Sequence, residues 1–241
     1  MSECFETTRS EDVLRVARPE TRWLSTGWDG GFSRTDAAFN CTVPEGWNPT
    51  NIRADVEQRL DDAGFDAAEG PVLLTGVDQR HARGARDAPV SVLATVGLSN
   101  PTTLPFEPDE RRVDAEDIDG LDGPPRPGTV NLFVGTARSL TDAGMANLVA
   151  VAAEARTATL LELAGFTGTT SDAIVVACDP AGESSQYTGS ATPVGRATRA
   201  CVREAITASF RSRYDDREPP ESVADAEHGE ATTERAEVFE P

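Results

Sequence analysis

The segment PVLLTGVDQRHARGAR, residues 71–86, decides where we expect the centre of the fold. Its apolar run, Val72 to Leu74, is typical of a buried strand, and a glycine ends it. Loops at the ends of buried strands often carry functional groups. Because the other histidine, His228, lies in an acidic stretch, we expect histidine acid–base chemistry at His81. The polar residues of this loop are Asp78, Arg80, His81, Arg83 and Arg86.

The composition is strongly acidic and lacks lysine. Of 241 residues, 41 are Asp or Glu and 22 are basic, all of them arginine, which gives a net charge of −19. Dense surface carboxylates stay hydrated where salt screens their mutual repulsion, so this composition resembles that of proteins from a salt-saturated cytoplasm. The same charge argues against a nucleic-acid partner, which requires a basic face.

Cysteine spacing and hydropathy narrow the class of protein further. The four cysteines are far apart and form no C-x-x-C motif, so we expect neither a disulfide framework nor a metal site. No apolar run approaches the roughly 20 residues that span a bilayer, and the first residues show no secretory signal pattern. We therefore expect a cytoplasmic protein with no membrane partner, no metal and no separate cofactor. The sequence leaves its oligomeric state open, a homo-oligomer included.

Short strands mixed with two long helices predict a single α/β or α+β domain, in which layers of a mixed β-sheet pack with a long buried helix and a C-terminal helix. The long helix begins after Ser139 or Thr141 and ends near Ala164, before Gly165. It is apolar nearly all round, which predicts burial between layers. The domain covers residues 1–214, with an acidic surface insertion at about 105–127, and we expect residues 215–241 to be a disordered acidic tail. Further helices are predicted at 52–63 and 192–214, and strands around 23–24, 37–43, 72–74, 89–97, 128–136 and 173–178.

Three polar loops adjoin predicted buried strands, namely Ser25–Gly31, Asp78–Arg86 and Gly168–Asp172. We expect them to converge on a pocket that holds hydroxyls, one imidazole, guanidinium groups and carboxylates. Such a mixture suits hydrolysis or transfer at a carbonyl group. A structural interpretation stands beside each element: a hairpin turn for the glycines, a plain turn for the threonines, and an arginine partner for Glu154. From the residues alone, the prediction stops at a small-molecule enzyme or binding protein without a metal.

Several long strings, taken together, resemble the adenosylcobinamide amidohydrolase family. They stand in the family's order, and the resemblance covers roughly residues 13–214. The strings are LSTGWDGGF (24–32), GPVLLTGVDQRHARGAR (70–86), ATVGLSNP (94–101), GTVNLFVGTARSL (128–140), LVAVAAEARTATLLELAGFTGTTSDAIVVACDP (148–180) and TGSATPVGRATRACVREAI (188–206).

The resemblance implies a corrinoid-salvage enzyme. Such an enzyme hydrolyses the amide between the aminopropanol arm and the corrin ring of adenosylcobinamide, and the adenosylcobyric acid formed re-enters cobalamin synthesis. Cobalt would enter only as part of the corrinoid substrate. A salvage role of this kind suits an archaeon, in agreement with the salt-adapted composition. A corrinoid-binding protein without hydrolase activity is the alternative, and an amide hydrolase for another substrate is a third interpretation.

The residue roles follow from chemistry rather than from the resemblance. His81, oriented by Asp78, is the expected general base or acid, and Asp172 and Glu154 are alternative carboxylate bases. Water or a hydroxyl from Ser25, Thr26 or Thr170 attacks the amide. Asn131 and backbone N–H groups of the glycine loops stabilise the oxyanion. Trp23, Trp28 and Phe32 are candidates to face the corrin ring. The expected substrate-binding residues are Ser25, Thr26, Gly27, Gly30, Gly31, Arg80, Arg83, Asn100, Asn131, Thr169 and Thr170.

Overall fold

A computed structural model describes residues 4–66, 70–106 and 129–241. The helices are α1 (Ile52–Asp62), α2 (Asp142–Ala164) and α3 (Pro193–Arg213), and a 3-10 turn covers Gln79–His81. The strands are β1 (Glu6–Ser10), β2 (Val13–Ser25), β3 (Gly31–Thr42), β4 (Val72–Thr75), β5 (Arg83–Asp87), β6 (Val90–Val96), β7 (Pro101–Thr103), β8 (Val130–Thr136), β9 (Ser139–Leu140), β10 (Gly168–Thr169), β11 (Ala173–Cys178), β12 (Ser184–Ser185) and β13 (Glu230–Ala231).

One mixed sheet forms the centre of the domain, in the order β4-β3-β2-β11-β8-β6-β5, with β1 beside the first half of β2. The pairs β3–β4 and β8–β11 are parallel and the other neighbours in this order are antiparallel. The sheet is strongly curled, because Asn131 on β8 donates to the carbonyl of Leu74 on β4 at 3.0 Å although three strands lie between them in the sheet order. The two halves of the sheet therefore face each other.

Alternation along the strands sends one set of side chains between the two halves and the other set outward. The inner set includes Trp23, Leu73, Phe133 and Val175. On the outside, α1 covers the half that contains β2, β3 and β4, through Val56 and Leu60 among others. The helices α2 and α3 cover the outer face of β6, β8 and β11. This arrangement confirms the predicted single domain with a mixed sheet, a long helix and a C-terminal helix.

The ends of the two long helices lie where the sequence predicts them. The side chain of Thr141 accepts a hydrogen bond from the backbone N–H of Gly144 and so caps α2, and Gly165 ends that helix in the left-handed region at φ 75°. Thr192 caps α3 in the same way, through the N–H of Gly195. Both caps satisfy backbone donors that have no partner within the helix.

The prediction of burial holds for only one side of α2. Met145, Leu148 and Ala152 on that side are buried, whereas Ala150, Ala158 and Glu154 on the other side are exposed. Alanine adds little apolar area, so a helix rich in alanine can expose one face at small cost. The apolar character of this helix therefore overstated its burial.

Two loops differ from their predicted form. The glycine segment after Trp28 is the turn of a hairpin, since β2 and β3 are antiparallel and Ser25 pairs with Gly31; the structural interpretation of these glycines is confirmed. The predicted loop 78–86 is shorter than expected, because Arg83 and Arg86 lie on β5, which pairs with β6. The predicted acidic insertion lies almost wholly outside the described residues.

Part of the C-terminal segment is placed against the domain. Glu230 and Ala231 form β13, which pairs with Thr102 and Thr103 of β7, and the N–H of His228 donates to the carbonyl of Ser99 at 3.0 Å. The disorder expected for the rest of residues 215–241 stays a prediction.

The four cysteines, Cys4, Cys41, Cys178 and Cys201, are free thiols and all are buried. Across the ranges that the structure describes, no helix is both long and apolar enough to cross a bilayer. In the same ranges, no three His, Cys, Asp or Glu side chains are grouped as metal ligands would be.

Candidate active site

The first predicted loop, Ser25–Gly31, contacts the start of β11, the strand that follows the loop Gly168–Asp172. The backbone N–H of Thr26 donates to the carbonyl of Ile174 at 3.0 Å, and the N–H of Ile174 donates to the Thr26 hydroxyl at 2.9 Å. Ser25 is buried, and its hydroxyl oxygen accepts from the N–H of Gly27 at 3.2 Å. Ser25 therefore stabilises the hairpin turn, and Thr26 fixes this turn to Ile174 at the start of β11.

The glycines of the hairpin turn are explained by its close packing. A Cβ atom at Gly30 would lie 2.5 Å from the carbonyl oxygen of Ser25, and one at Gly27 would collide with the side chain of Leu73. Gly31 adopts φ 114°, which favours glycine. These three glycines shape the turn, and their binding role stays a prediction.

Asn100 is the residue on which the second loop is built. Its side chain is fully buried, and Nδ2 donates to the Thr170 hydroxyl at 2.6 Å and to the Ser171 hydroxyl at 3.1 Å. Its backbone carbonyl accepts from the N–H of Thr170 at 3.1 Å. The side-chain oxygen Oδ1 is buried and has no hydrogen-bond partner. Since a buried amide oxygen without a partner is costly and rare, this atom marks a place where a further donor is expected.

Asp172 lies beneath the same loop and is fully engaged. Oδ1 accepts from the N–H of Val130 at 2.8 Å and from the Thr169 hydroxyl, and Oδ2 accepts from the N–H of Thr169 at 2.9 Å. Oδ2 also lies 3.3 Å from Arg156, and the side chains of this pair are only 5% (Asp172) and 16% (Arg156) exposed. These four contacts occupy both oxygens, so the geometry favours a positioning role for Asp172 over the predicted role of a base.

Gly168 makes this arrangement of Asp172 sterically feasible. It adopts φ 159°, and a Cβ atom there would lie 2.6 Å from Oδ2 of Asp172. Arg156 has one further feature that the sequence did not reveal, since its Nε is buried without a partner. Asn100 and Arg156 thus place one buried acceptor and one buried donor, both unpaired, on either side of the loop Gly168–Asp172.

The loop Asp78–Arg86 is connected to the loop Gly168–Asp172 through the core. A chain of buried side chains runs between the halves of the sheet, from Gln79 to Asn40 (3.4 Å), from Asn40 to Asn131 (2.8 Å) and from Asn131 to Thr129 (3.2 Å). The Thr129 hydroxyl also donates to the carbonyl of Ser171 at 2.8 Å. Asn131 is consequently saturated within the core, and its predicted role in an oxyanion hole would require these contacts to change.

His81 lies against α3. Its Nδ1 is 3.1 Å from the Ser212 hydroxyl, and Arg83 donates to that same hydroxyl at 2.5 Å. Asp78 bonds Arg80 rather than His81, with 2.7 Å between its carboxylate and the N–H of Arg80. This hydrogen bonding to Arg80 lowers the pKa of Asp78. Burial lowers the pKa of His81, and the positive charge of Arg213 lowers it further, while Asp78 opposes the shift. The lowered pKa favours the neutral form of His81 at neutral pH, and a general base requires that form.

The remaining predicted groups are distributed over the surface and the core. Glu154 is exposed and pairs with Arg199, which is the structural interpretation of that residue. Trp23 is buried and stacks on Phe5 with 5.9 Å between ring centroids, so it cannot face a corrin ring. Trp28 packs beneath the guanidinium of Arg53 at 5.4 Å. Phe32 is 55% exposed and remains a candidate for such a contact.

A cavity of about 660 Å³ adjoins the residues before Asn100. Gly76 and Val77 after β4, Gly97 to Ser99 after β6, and the end of α3 form its wall on the side of the domain. Residues 217–227 of the C-terminal segment line its other side. Tyr214 connects this wall to β6, because its hydroxyl accepts from the N–H of Leu98 at 2.9 Å. This cavity could not be predicted from the sequence, since its two sides come from segments far apart in the chain.

Comparison with known proteins assigns the family. A family model described as adenosylcobinamide amidohydrolase matches residues 2–218. The chain belongs to the adenosylcobinamide amidohydrolase family. An adenosylcobinamide amidohydrolase of Halobacterium salinarum is 56% identical over 98% of this chain and 100% of its own length. One of Methanosarcina mazei is 26% identical over 84% of this chain and 96% of its own length. The expected family membership is confirmed.

The likeness to solved structures is weaker. The PH0078 protein of Pyrococcus horikoshii aligns with a TM-score of 0.41 at 12% identity, over 85% of this chain and 78% of the other. The family model ends at residue 218, so most of the C-terminal segment lies beyond the adenosylcobinamide amidohydrolase match, whereas the Halobacterium relative is similar over nearly the whole chain.

Proposed function

We propose that this chain hydrolyses the amide between the aminopropanol arm and the corrin ring of adenosylcobinamide, and that it does so at the Asn100 cluster. The Asn100 cluster consists of Asn100, Thr170 and Ser171 with Asp172 and Arg156 beneath them. The family membership supports the activity. The observation that carries the location is the buried, unpaired Oδ1 of Asn100 next to two hydroxyl groups.

The Asn100 cluster complements an amide. A secondary amide offers one N–H donor and one carbonyl acceptor. Nδ2 of Asn100 donates to both hydroxyl oxygens, so the hydroxyl protons of Thr170 and Ser171 can point away from Asn100. Thr170 is exposed, and its hydroxyl can donate to the substrate carbonyl, where negative charge develops. The unpaired Oδ1 of Asn100 is buried in this structure, so it can accept from the attacking water or from the substrate N–H only when the loop Gly168–Asp172 moves aside.

Asp172 and Arg156 act through the loop. Asp172 accepts from the N–H of Thr169, just before Thr170, and from the N–H of Val130 on β8, and so ties the loop to the sheet; Arg156 compensates its charge. A catalytic group must be held within a fraction of an ångström, and a buried ion pair with backbone contacts provides that rigidity. Both residues are therefore positioning residues in this proposal.

The hydrolysis requires one water and releases two products. The water oxygen bonds to the carbonyl carbon, the carbon–nitrogen bond breaks, and the nitrogen leaves with a proton as the amine of aminopropanol. The corrin ring keeps a new carboxylate. His81, neutral because its pKa is lowered, remains the second candidate for the proton-transfer group.

The first test measures the products directly. The purified chain is incubated with adenosylcobinamide in molar KCl, and adenosylcobyric acid and aminopropanol are followed by mass spectrometry. We expect both products in equal amounts. Intact substrate with a shifted visible spectrum would identify a corrinoid-binding protein, and intact substrate without a shift would reject the substrate. Dialysis against a chelator is expected to leave the rate unchanged, because we predict no resident metal.

A variant series then tests the location. Thr170→Val and Asn100→Asp are expected to lower kcat by about 100-fold or more, the usual effect of removing an oxyanion donor or its orienting partner. Thr50→Val, on an exposed threonine before α1, is the matched control and should retain full activity. Circular dichroism verifies the fold of each variant. If His81→Ala abolished hydrolysis while Thr170→Val and Asn100→Asp did not, the catalytic centre would belong to His81.

A further inference from the structure

A long groove runs between α2 and α3 on the side of the molecule away from the sheet. Its volume is about 700 Å³. The floor is built of small and apolar side chains, among them Ala158, Leu163 and Ala200. Its lining also includes four arginines, Arg196, Arg199, Arg203 and Arg211, and a single carboxylate, Glu162.

Four guanidinium groups around one groove are unusual on this chain. The whole sequence has 41 acidic and 22 basic residues, so its surface is dominated by carboxylates. Arg199 pairs with Glu154 and Arg203 pairs with Glu204, but both pairs are largely exposed and such pairs contribute little stability. Their guanidinium groups can therefore be recruited by another carboxylate at small cost, and an apolar floor with an arginine rim fits an acidic segment that carries apolar side chains.

The C-terminal segment of the same sequence has this composition. Val238 and Phe239 are adjacent in the sequence and 95% and 80% exposed, so together they offer an apolar surface that a partner can cover. Glu237 precedes them and Glu240 follows them. The segment is thus an apolar pair between two carboxylates.

The geometry points to an exchange between two copies of this chain. We propose that the segment 234–241 of one copy docks in the groove between α2 and α3 of a second copy, with Phe239 on the alanine floor and Glu237 and Glu240 at the arginine rim. Each copy offers one groove and one segment, so the exchange closes a symmetric dimer. A second copy is the occupant because the segment of the same chain leaves Val238 and Phe239 exposed.

The length of the segment is sufficient for such an exchange. Its last described backbone contact is the hydrogen bond from the N–H of Thr232 to the carbonyl of Thr103. The nine residues 233–241 that follow can extend by about 30 Å. Arginine also packs well against an aromatic ring, which adds to the contact at Phe239.

The oligomeric state tests the proposal. Sedimentation equilibrium over a range of concentrations in constant KCl is expected to show a reversible dimer for the full chain. Phe239→Ser should raise the dimer dissociation constant about 100-fold or more, because the symmetric dimer loses two buried aromatic side chains, one from each copy. Phe106→Ser is the matched control, since Phe106 is 99% exposed and lies outside both surfaces, and it should change nothing. A full chain that stays monomeric, or a Phe239→Ser variant that dimerises as strongly as the full chain, overturns the proposal.

A charge exchange tests the rim of the groove separately. Arg203→Glu and Glu237→Arg should each weaken the dimer, and the double variant should regain most of the loss. The comparison is made at the lowest salt that keeps the chain folded, because molar salt screens such pairs. Hydrolysis of adenosylcobinamide by the Phe239→Ser variant should remain normal, so failure of the dimer proposal and failure of the proposed function are distinguishable. A double variant that dimerises no more strongly than either single variant would reject the contact between Arg203 and Glu237.

Discussion

Two aspartates, each next to an arginine, show how differently the same chemistry can be used in one molecule. Asp172 and Arg156 lie 3.3 Å apart with side chains 5% and 16% exposed, and they come from a loop and from α2. Asp78 and Arg80 lie 2.5 Å apart with side chains 36% and 70% exposed, and they are two residues apart in the sequence. The local pair is visible in the sequence and lies at the surface. The distant pair is invisible in the sequence and holds the loop of the Asn100 cluster.

The difference in burial between the two pairs indicates which of them is the better guide to a functional site. An exposed ion pair forms and breaks at little cost in free energy, so its presence is weak evidence for a functional site. A buried charge is costly unless it is completely compensated, and Asp172 has four partners while Nε of Arg156 has none. Incomplete compensation next to exposed hydroxyls is the feature that sets the Asn100 cluster apart from the loop of His81.

The largest effect is expected from removing one partner of the buried pair. Asp172→Ala leaves the Arg156 guanidinium uncompensated and should lower the free energy of unfolding by about 3–5 kcal/mol. Asp78→Ala is the matched variant of the surface pair and should cost clearly less. Denaturant unfolding of both variants in the same KCl measures the two values. Equal losses would show that the two pairs do not differ in the way their burial suggests.

A smaller effect is expected from crowding the buried carboxylate without removing it. Gly168→Ala brings a Cβ atom to 2.6 Å from Oδ2 of Asp172, at a φ of 159° that side-chain-bearing residues rarely adopt, so a loss of about 2–3 kcal/mol is expected. Gly31→Ala is the control, because Gly31 also has a positive φ but has open space around its Cβ position. Its strain alone should cost about 1 kcal/mol. Thermal unfolding separates the two, and a Gly168→Ala loss no larger than that of Gly31→Ala would contradict a tight fit around Asp172.

The smallest effect concerns the surface loop and appears only with pH. The pKa of His81 is lowered in the folded chain from an ordinary value of 6.5. As the pH falls below that value, the unfolded chain takes up the proton before the folded chain does, so the contribution of His81 to stability is complete at higher pH and is lost on acidification. Between about pH 7.5 and about pH 5, the native protein should therefore lose more stability than His81→Gln. Parallel pH dependences for the two proteins would place His81 in a solvent-like environment.

The sequence predicted those features that depend on local residue order. Thr141 and Gly165 mark the ends of α2, and the run before Thr75 is a buried strand. The family could be recognised as well, because long strings carry it. The same local order made the Asp78–His81 motif prominent, although Asp78 bonds Arg80 instead.

Features that depend on the curl of the sheet could not be predicted. The approach of Asn131 to Leu74 and the burial of Trp23 both arise because the two halves of the sheet face each other. Arg156 could not be recognised as the partner of Asp172, since the two are sixteen residues apart and lie on α2 and in the loop before β11. Asn100 was named as a binding residue, yet its unpaired oxygen is a property of packing, which periodicity does not report.

Because all four thiols are buried, their reaction with added reagents reports local unfolding of the layers around them. Burial raises the pKa of Cys41 to about 12 and that of Cys201 to about 11, so the reactive thiolate is scarce while the chain is folded. Alkylating reagents should therefore modify these positions only when the surrounding layer separates. Cys41 lies on β3, Cys178 on β11 and Cys201 on α3, so peptide mapping after brief alkylation would reveal the order in which the layers come apart as the salt is withdrawn.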